Sequence, residues 1–262
     1  MGLMQKFIDS KKKSIALAKQ SISLWELQGK LINKHTPTRN FKTAISMPKD
    51  TLHVIAEAKK ASPSVGLIVE NYNPGKIART YETYDADAIS ILTEEKYFLG
   101  DIYHLSVVKE VTSLPVLRKD FIIDEYQIYE SRFYGADAIL LIASLLFTSE
   151  LQRFLDIAKG LGLHCLVEAH TDHDLKKILD TDAEIIGINN RSLATLKVDL
   201  NNTARLRPKI PKGKIVVSES GIRSKADIKL LKEMDINAIL IGHYLLEKKD
   251  SIGKALKELM SK

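Results

Sequence analysis

The chain has 262 residues, 45% of them hydrophobic and 27% charged, an ordinary globular composition that can bury most of its surface without a disulfide or metal staple. A single cysteine, Cys165, excludes an internal disulfide and fits a reducing compartment. The formal charge of +6 is interleaved with acids and has no aromatic-rich basic stripe, which argues against nucleic acid and suits small anionic substrates.

No apolar run reaches the roughly 18 residues of a membrane span. The lysines at positions 6 and 11 to 13 are not followed by the roughly 7–15 apolar residues of a signal peptide. A cytoplasmic protein is therefore expected. Residues 1–50 read as one or two helices with Leu24, Trp25 and Leu27 as apolar positions, then a polar stretch from 37 to 48. This segment is too short for a domain of its own and is expected to cap the remainder of the chain, with Trp25 packed and Lys11, Lys12 and Lys13 on a solvated helix face.

From Thr51 onward, β-branched runs alternate with amphipathic segments. Strands are predicted at 52–58, 87–92, 115–119, 137–142, 164–169, 184–189, 214–219 and 237–242. Helical patterns fall near 77–84, 125–134, 150–161, 172–179, 225–232 and 252–260. Most of the strands are continuous apolar runs, as expected for parallel strands covered on both faces. The segments YDADAISIL, YGADAILLI and DINAILI share one pattern, and their isoleucines Ile89, Ile139 and Ile239 are 50 and then 100 residues apart. Fifty residues is two βα units of about 25 residues each. A doubly wound sheet also alternates β and α, but no GxGxxG comes after the first strand. The expected fold is α/β: a (β/α)8 TIM barrel forming a single domain over 1–262, with an N-terminal helical extension (1–50) and the barrel proper (51–262).

Such barrels place their active sites at the C-terminal ends of the strands. There the sequence carries Glu57 and Lys59, Glu94 and Glu95, Arg118, Lys119 and Asp120, Glu168, Asn189 and Arg191, Glu219, and finally His243. Lysines and glutamates converging on a partly desolvated mouth are what general acid–base catalysis requires. Ser220-Gly221 and Gly242-His243 fall after strands seven and eight, where barrels commonly bind phosphate through backbone N–H groups. Lys59 and Lys119, opposite, would meet a second anionic group such as a carboxylate.

At these residues the sequence resembles the indole-3-glycerol-phosphate synthase family. The resemblance rests on Glu57-Ala58-Lys59-Lys60-Ala61-Ser62-Pro63-Ser64, on the run from Ser90 to Gly100, and on Pro115-Val116-Leu117-Arg118-Lys119-Asp120-Phe121-Ile122. It continues through Leu166-Val167-Glu168-Ala169-His170, Gly187-Ile188-Asn189-Asn190-Arg191 and Ser218-Glu219-Ser220-Gly221-Ile222, in family order across 52–242. It implies a small sugar-phosphate substrate, 1-(2-carboxyphenylamino)-1-deoxyribulose 5-phosphate, and no metal or organic cofactor; no nucleic-acid or membrane partner is expected from charge and hydropathy, and the chain is expected to be a monomer or weak homodimer.

The resemblance also implies roles. Lys119 would be the general acid on the ketone oxygen, its pKa brought toward neutrality by desolvation or neighbouring cations. Lys59 would hold the anthranilate carboxylate, and Glu168 would be the partner acid–base. Glu57 and Glu219 would position the lysines, and Asn189 and Arg191 would hold substrate and carboxylates. Ser62, Ser220, Gly221, Gly242 and His243 would contact carboxylate or phosphate, and Phe98, Phe121 and Leu140 would wall the aromatic ring. Loops 62–66 and 119–124 are expected to close over substrate.

His243 departs from the small or hydroxyl residue usual in the family, so its imidazole could make phosphate binding pH-sensitive. A phosphoribosyl isomerase or a tryptophan synthase α subunit would share Ser220-Gly221 but leave Lys59, Lys119 and Glu168 together unexplained. A catalytically dead binding barrel would be expected to lose the rim lysines and glutamates, and none is missing. The dull readings are rim ion pairs for Glu57, Lys59 and Glu168, and turn residues for Asn189 and Asn190. His170, Asp172, His173 and Asp174 look superficially like metal ligands but read as a helix start capped by Thr171 or Asp172.

Overall fold

The computed structural model describes residues 2–32, 36–192 and 195–261 (at position 250 the backbone only), so parts of the predicted cap at 1 and 33–35 lie outside the described residues. Eight parallel strands close a barrel: β1 (His53–Ala58), β2 (Ala88–Leu92), β3 (Val116–Lys119), β4 (Ala138–Ile142), β5 (His164–Ala169), β6 (Ile185–Asn189), β7 (Ile215–Glu219) and β8 (Ala238–Ile241). Each strand pairs with its sequence neighbours, and β8 pairs with β1 in register from His53 opposite Ala238. All eight predicted strands are present, each to within a residue at either end.

Helices α1 (Leu3–Ser21), α2 (Leu24–Ile32) and α3 (Phe41–Ala44) precede the barrel, and α4 (Pro74–Thr83), α5 (Tyr103–Val111), α6 (Glu125–Phe133), α7 (Thr148–Gly160) and α8 (Asp172–Leu179) wrap it. α9 (Asn201–Leu206), α10 (Lys225–Glu233), α11 (His243–Leu246) and α12 (Ile252–Met260) complete the ring. Their starts are marked locally. Asn73 caps α4 ahead of Pro74, and Asp124, Thr171 and Ser224 head capping boxes on α6, α8 and α10. The periodicity missed α5, α9 and α11, and a two-residue antiparallel ladder joining 61–62 to 66–67.

Two apolar cores result. One lies between the strands and the outer helices, and the other fills the barrel with Ile55, Leu117, Leu140, Leu166, Ile185, Val217 and Leu240. Phe41 and Ile45, fully buried, belong to this inner core, as does Phe7 of α1. The N-terminal segment is thus part of the barrel's packing. Trp25, expected to pack, is instead 81% exposed, because α2 turns Leu27 inward.

The repeated pattern has a structural cause. Asp87, Asp137 and Asn237 each stand one residue before an even-numbered strand. Their side-chain oxygens accept the backbone N–H of Val54, Val116 and Val216 on the preceding odd strand, each at 2.8 Å. Their own N–H groups bond back to the carbonyls of the same valines at 2.8 to 3.0 Å. An N–H at the strand foot that has no ladder partner is thereby satisfied.

Candidate active site

Successive strand residues face opposite sides of a sheet, so the residues packed inside the barrel dictate what lies two positions on. Above Ile55 comes Glu57, above Leu117 Lys119, above Leu166 Glu168, above Val217 Glu219 and above Leu240 Gly242. On four strands the apolar layer is succeeded by an ionisable residue, and on β8 by Gly242, all at the C-terminal mouth. Arg118 has the opposite parity. It faces the helix layer, where it donates to Glu130 at 2.8 Å, to the Gln127 carbonyl at 3.0 Å and to Ser131 at 3.1 Å. Arg118 is a structural residue, not a rim group.

The mouth opens into a cavity of about 380 Å³. Of the residues singled out from the sequence, Glu57, Lys59, Ser62, Phe98, Lys119, Phe121, Leu140, Glu168, Asn189, Arg191, Ser220, Gly221, Gly242 and His243 all line it. Glu219 does not. It lies beneath the floor, fully buried, 3.5 Å from Lys119 Nζ.

Lys119 Nζ sits 3.4 Å from Glu168 and is ringed by carboxylates rather than cations. Burial works against its charge, but Glu168, Glu219 and Glu57 outweigh burial and hold the ammonium above the ordinary lysine range. A near-neutral lysine, expected from the sequence, is therefore not what the free protein contains. Glu57 forms an ion pair with Lys59. Burial alone would raise its pKa, yet Lys59 and then Lys119 pull it below the usual glutamate value. Glu168 is likewise held ionised against burial by Lys119 and by His170, whose Nε2 is 3.2 Å from Oε1, with a hydrogen bond from Asn189. Glu219 goes the other way: burial and the neighbouring Glu168 push it well above the carboxylate range.

A second charged region gathers on the opposite side. Ser220 and Gly221 are both left-handed, at φ 68° and 84°, which folds the backbone after β7 into a tight turn that costs a serine strain. Gly242 leads into His243, whose Nε2 lies 2.9 Å from Glu247. Burial, with Lys59, Arg223 and Arg191 nearby, depresses the His243 pKa despite Glu247. Arg191 bonds the Leu196 carbonyl at 2.9 Å, and its N–H is held by Asn189. Small side chains and cations make this end suited to a phosphate.

Sequence reasoning missed three contributors. Phe7 of α1 lines the cavity and stacks on Phe121 at 5.0 Å between ring centroids. Lys11, read as solvated, is 2% exposed and bridges Glu95 and Asp120, each at 2.8 Å. A helix-period signal was present, since Phe7, Lys11 and Ile15 fall four apart on one buried face. Arg223, at the cavity mouth just after Gly221, had no pattern to mark it.

Asn190 is neither a ligand nor a simple turn residue; it is buried and bonds Ser218, Thr203 and the Glu219 and Ser220 carbonyls. Segment 119–124 is anchored rather than loose. Gln127 accepts from the Ile123 N–H at 2.8 Å and donates to the Phe121 carbonyl at 2.9 Å, so it forms a wall. Thr171 caps α8, and among the described residues no group of three or more His, Cys, Asp or Glu could hold a metal ion.

Comparison with known proteins bears on this site. A family model described as indole-3-glycerol phosphate synthase matches residues 4–259. The indole-3-glycerol phosphate synthase of Alkaliphilus metalliredigens is 49% identical over 99% of this chain and 98% of its own. That of Acetivibrio thermocellus is 47% identical over 92% of each chain. That of Clostridium acetobutylicum is 42% identical over 99% of this chain and 98% of its own. Among solved structures, 3-hexulose-6-phosphate synthase from Salmonella typhimurium superposes with a TM-score of 0.63 at 14% identity, covering 79% of this chain and 96% of its own. A mutant tryptophan synthase α-subunit from Pyrococcus furiosus gives 0.59 at 15% identity, covering 80% and 97%. At such identities these two speak for the barrel fold alone.

Proposed function

Because the chain belongs to the indole-3-glycerol phosphate synthase family, we propose that the residues of this cavity divide that family's reaction among them. The reaction is ring closure, decarboxylation and dehydration of 1-(2-carboxyphenylamino)-1-deoxyribulose 5-phosphate to indole-3-glycerol phosphate, a carboxy-lyase step of tryptophan biosynthesis.

Lys119 donates a proton to the ketone oxygen as the aromatic carbon attacks. Its raised pKa is no obstacle. The oxygen becomes an alkoxide comparable in basicity to hydroxide, far more basic than an amine, so transfer from an ammonium still runs downhill. The same carboxylates that hold the proton on Lys119 keep the acid loaded at neutral pH. Glu57 and Glu168 stabilise the cationic ring nitrogen that forms with the new bond. In the subsequent dehydration, Glu168, ionised and at the cavity wall, takes the carbon-bound proton, and Lys59 assists departure of the hydroxyl.

Lys59 and Ser62 hold the anthranilate carboxylate, with the ring against Phe98, Phe121 and Leu140. The phosphate lies on the backbone of Ser220, Gly221, Gly242 and His243, and Asn189 and Arg191 fix the sugar between. Orientation of this kind accounts for much of the rate in any ring closure. The barrel and its N-terminal cap act as one unit, in the cytoplasm, as a monomer or weak homodimer that engages no nucleic acid.

The observation that carries this reading is Lys119 ringed by carboxylates beside an apolar wall, with the anion-binding turns facing it across one cavity. The test is the rise of indole fluorescence on mixing protein with the substrate, beside Lys119→Met. Turnover that falls by roughly 10²–10⁴-fold or more in the variant is expected. An inactive wild type that still binds inorganic phosphate would overturn the substrate assignment.

A further inference from the structure

Glu168 and Glu219 are carried by β5 and β7, which do not touch, since β6 lies between them. Their carboxyls nevertheless flank one ammonium, Lys119 Nζ lying 3.4 Å from Glu168 and 3.5 Å from Glu219. Gly187 of β6 makes this possible. A Cβ there would overlap Glu219 Oε1 and come within 3.3 Å of its Cδ. Both glutamate side chains are 1% exposed. Among the described residues, Lys119 is the one lysine or arginine within ion-pair distance of either, at 3.4 and 3.5 Å.

The two carboxyls are not equivalent. Glu168 lines the cavity and has Lys119, His170 and the Asn189 amide around it. Neither oxygen of Glu219 receives a hydrogen bond from any described N–H or hydroxyl. Two ionised carboxylates, each 1% exposed and sharing one ammonium, would leave an uncompensated buried charge, a placement that disfavours ionisation of both. Two carboxyls can bond each other only when one carries a proton.

We propose that Glu168 and Glu219 hold a single proton between them, with Glu219 the neutral member, and that Gly187 is the positioning residue that seats the pair. This deepens the site reading above and rests on it. The groups around the pair are Lys119 from β3 and Glu57 from β1, with His170, just after β5, and Asn189 from β6 on the Glu168 side. With Glu219 neutral, Lys119 faces one buried negative charge on that side instead of two, so it releases its proton more readily. Glu168 stays ionised, as a base must.

The test compares the wild type with Glu219→Gln and Gly187→Ala. The infrared difference spectrum of wild type minus Glu219→Gln at neutral pH should show the C=O band of a protonated carboxylic acid. Because an amide can stand in for a neutral carboxylic acid, the loss of kcat in Glu219→Gln should be smaller than that in Gly187→Ala by about tenfold or more. Gly187→Ala should lose the acid band and about a hundredfold in kcat, as displacement of a catalytic group by about 1 Å does, while inorganic phosphate binds as before.

Absence of the acid band, or a loss in Glu219→Gln of about a hundredfold or more, would overturn the proposal, because an essential anion would then sit at 219. Should Gly187→Ala fail to fold, Glu219→Gln decides alone. The infrared band needs no turnover, so failure of the assigned reaction would be distinguishable from failure of this pair.

Discussion

Lys11 Nζ of α1 lies 2.8 Å from the carboxylate of Asp120, the residue after Lys119, and both side chains are buried, at 2% and 0% exposure. Asp120 is held on its other side by Arg118 at 3.1 Å and by Thr93 at 2.6 Å. One turn before Lys11, Phe7 forms part of the cavity wall. The first helix is therefore fastened to the strand that carries the proposed acid.

Lys11→Met should cost about 3 kcal/mol in urea unfolding, since it leaves a buried carboxylate short of a partner. It should also raise KM more than it lowers kcat. Burial opposes the Lys11 charge, but Asp120 and Glu95 raise its pKa above 10.5, so its contribution is full below that value and fades as pH climbs past it. Asp120 is depressed below 3.8, burial being outweighed by Lys11 and Arg118, and its contribution fades as pH falls through the depressed value. The stability gap between wild type and variant should thus be flat across neutral pH and narrow at both extremes. A variant as stable as the wild type would remove the brace from the account.

His243 is expected to couple phosphate binding to pH. In the free protein burial and the nearby cations depress its pKa, so at neutral pH the imidazole is uncharged. A bound phosphate dianion would raise that pKa and draw in a proton, so binding should tighten as pH falls and weaken as pH rises through the pKa of the complex. Measured from about pH 5.5 to 8.5, the KM of the wild type should rise more steeply with pH than that of His243→Ser. Parallel profiles would leave only the backbone N–H of His243 at the phosphate.

Asn237→Ala should cost roughly 1–3 kcal/mol, the penalty for leaving the buried N–H of Val216 without an acceptor. Asn237→Asp should retain most of the stability, because Asp87 and Asp137 perform the same task. Urea midpoints for the two variants check this directly, and equal losses in both would mean that the acceptor oxygen is not what matters.

The barrel was legible because buried parallel strands announce themselves as continuous apolar runs, and because a side-chain period of two places Glu57, Lys119 and Glu168 automatically above the inner core. Lys11 was not legible as a buried residue. A lysine triplet at the start of a chain resembles a solvated face, and its partners Glu95 and Asp120 lie in the loops after strands far along the sequence. Trp25 misled in the opposite sense, since hydrophobicity alone does not say which face of a short helix turns inward. The charge state of Lys119 depends on which neighbours surround it in space, so the expectation of crowding cations was replaced by a ring of carboxylates. Gly187 looked like an ordinary strand residue, because what it makes room for is carried by another strand.

The three acceptors at residues 87, 137 and 237 sit at the feet of their strands, and every ionisable group of the cavity sits at the opposite end. Like the staves of a cask bound at the base, the strands are clasped where no chemistry occurs. A change of reagent at the lip therefore leaves the clasp untouched, and drift in specificity need not loosen the vessel.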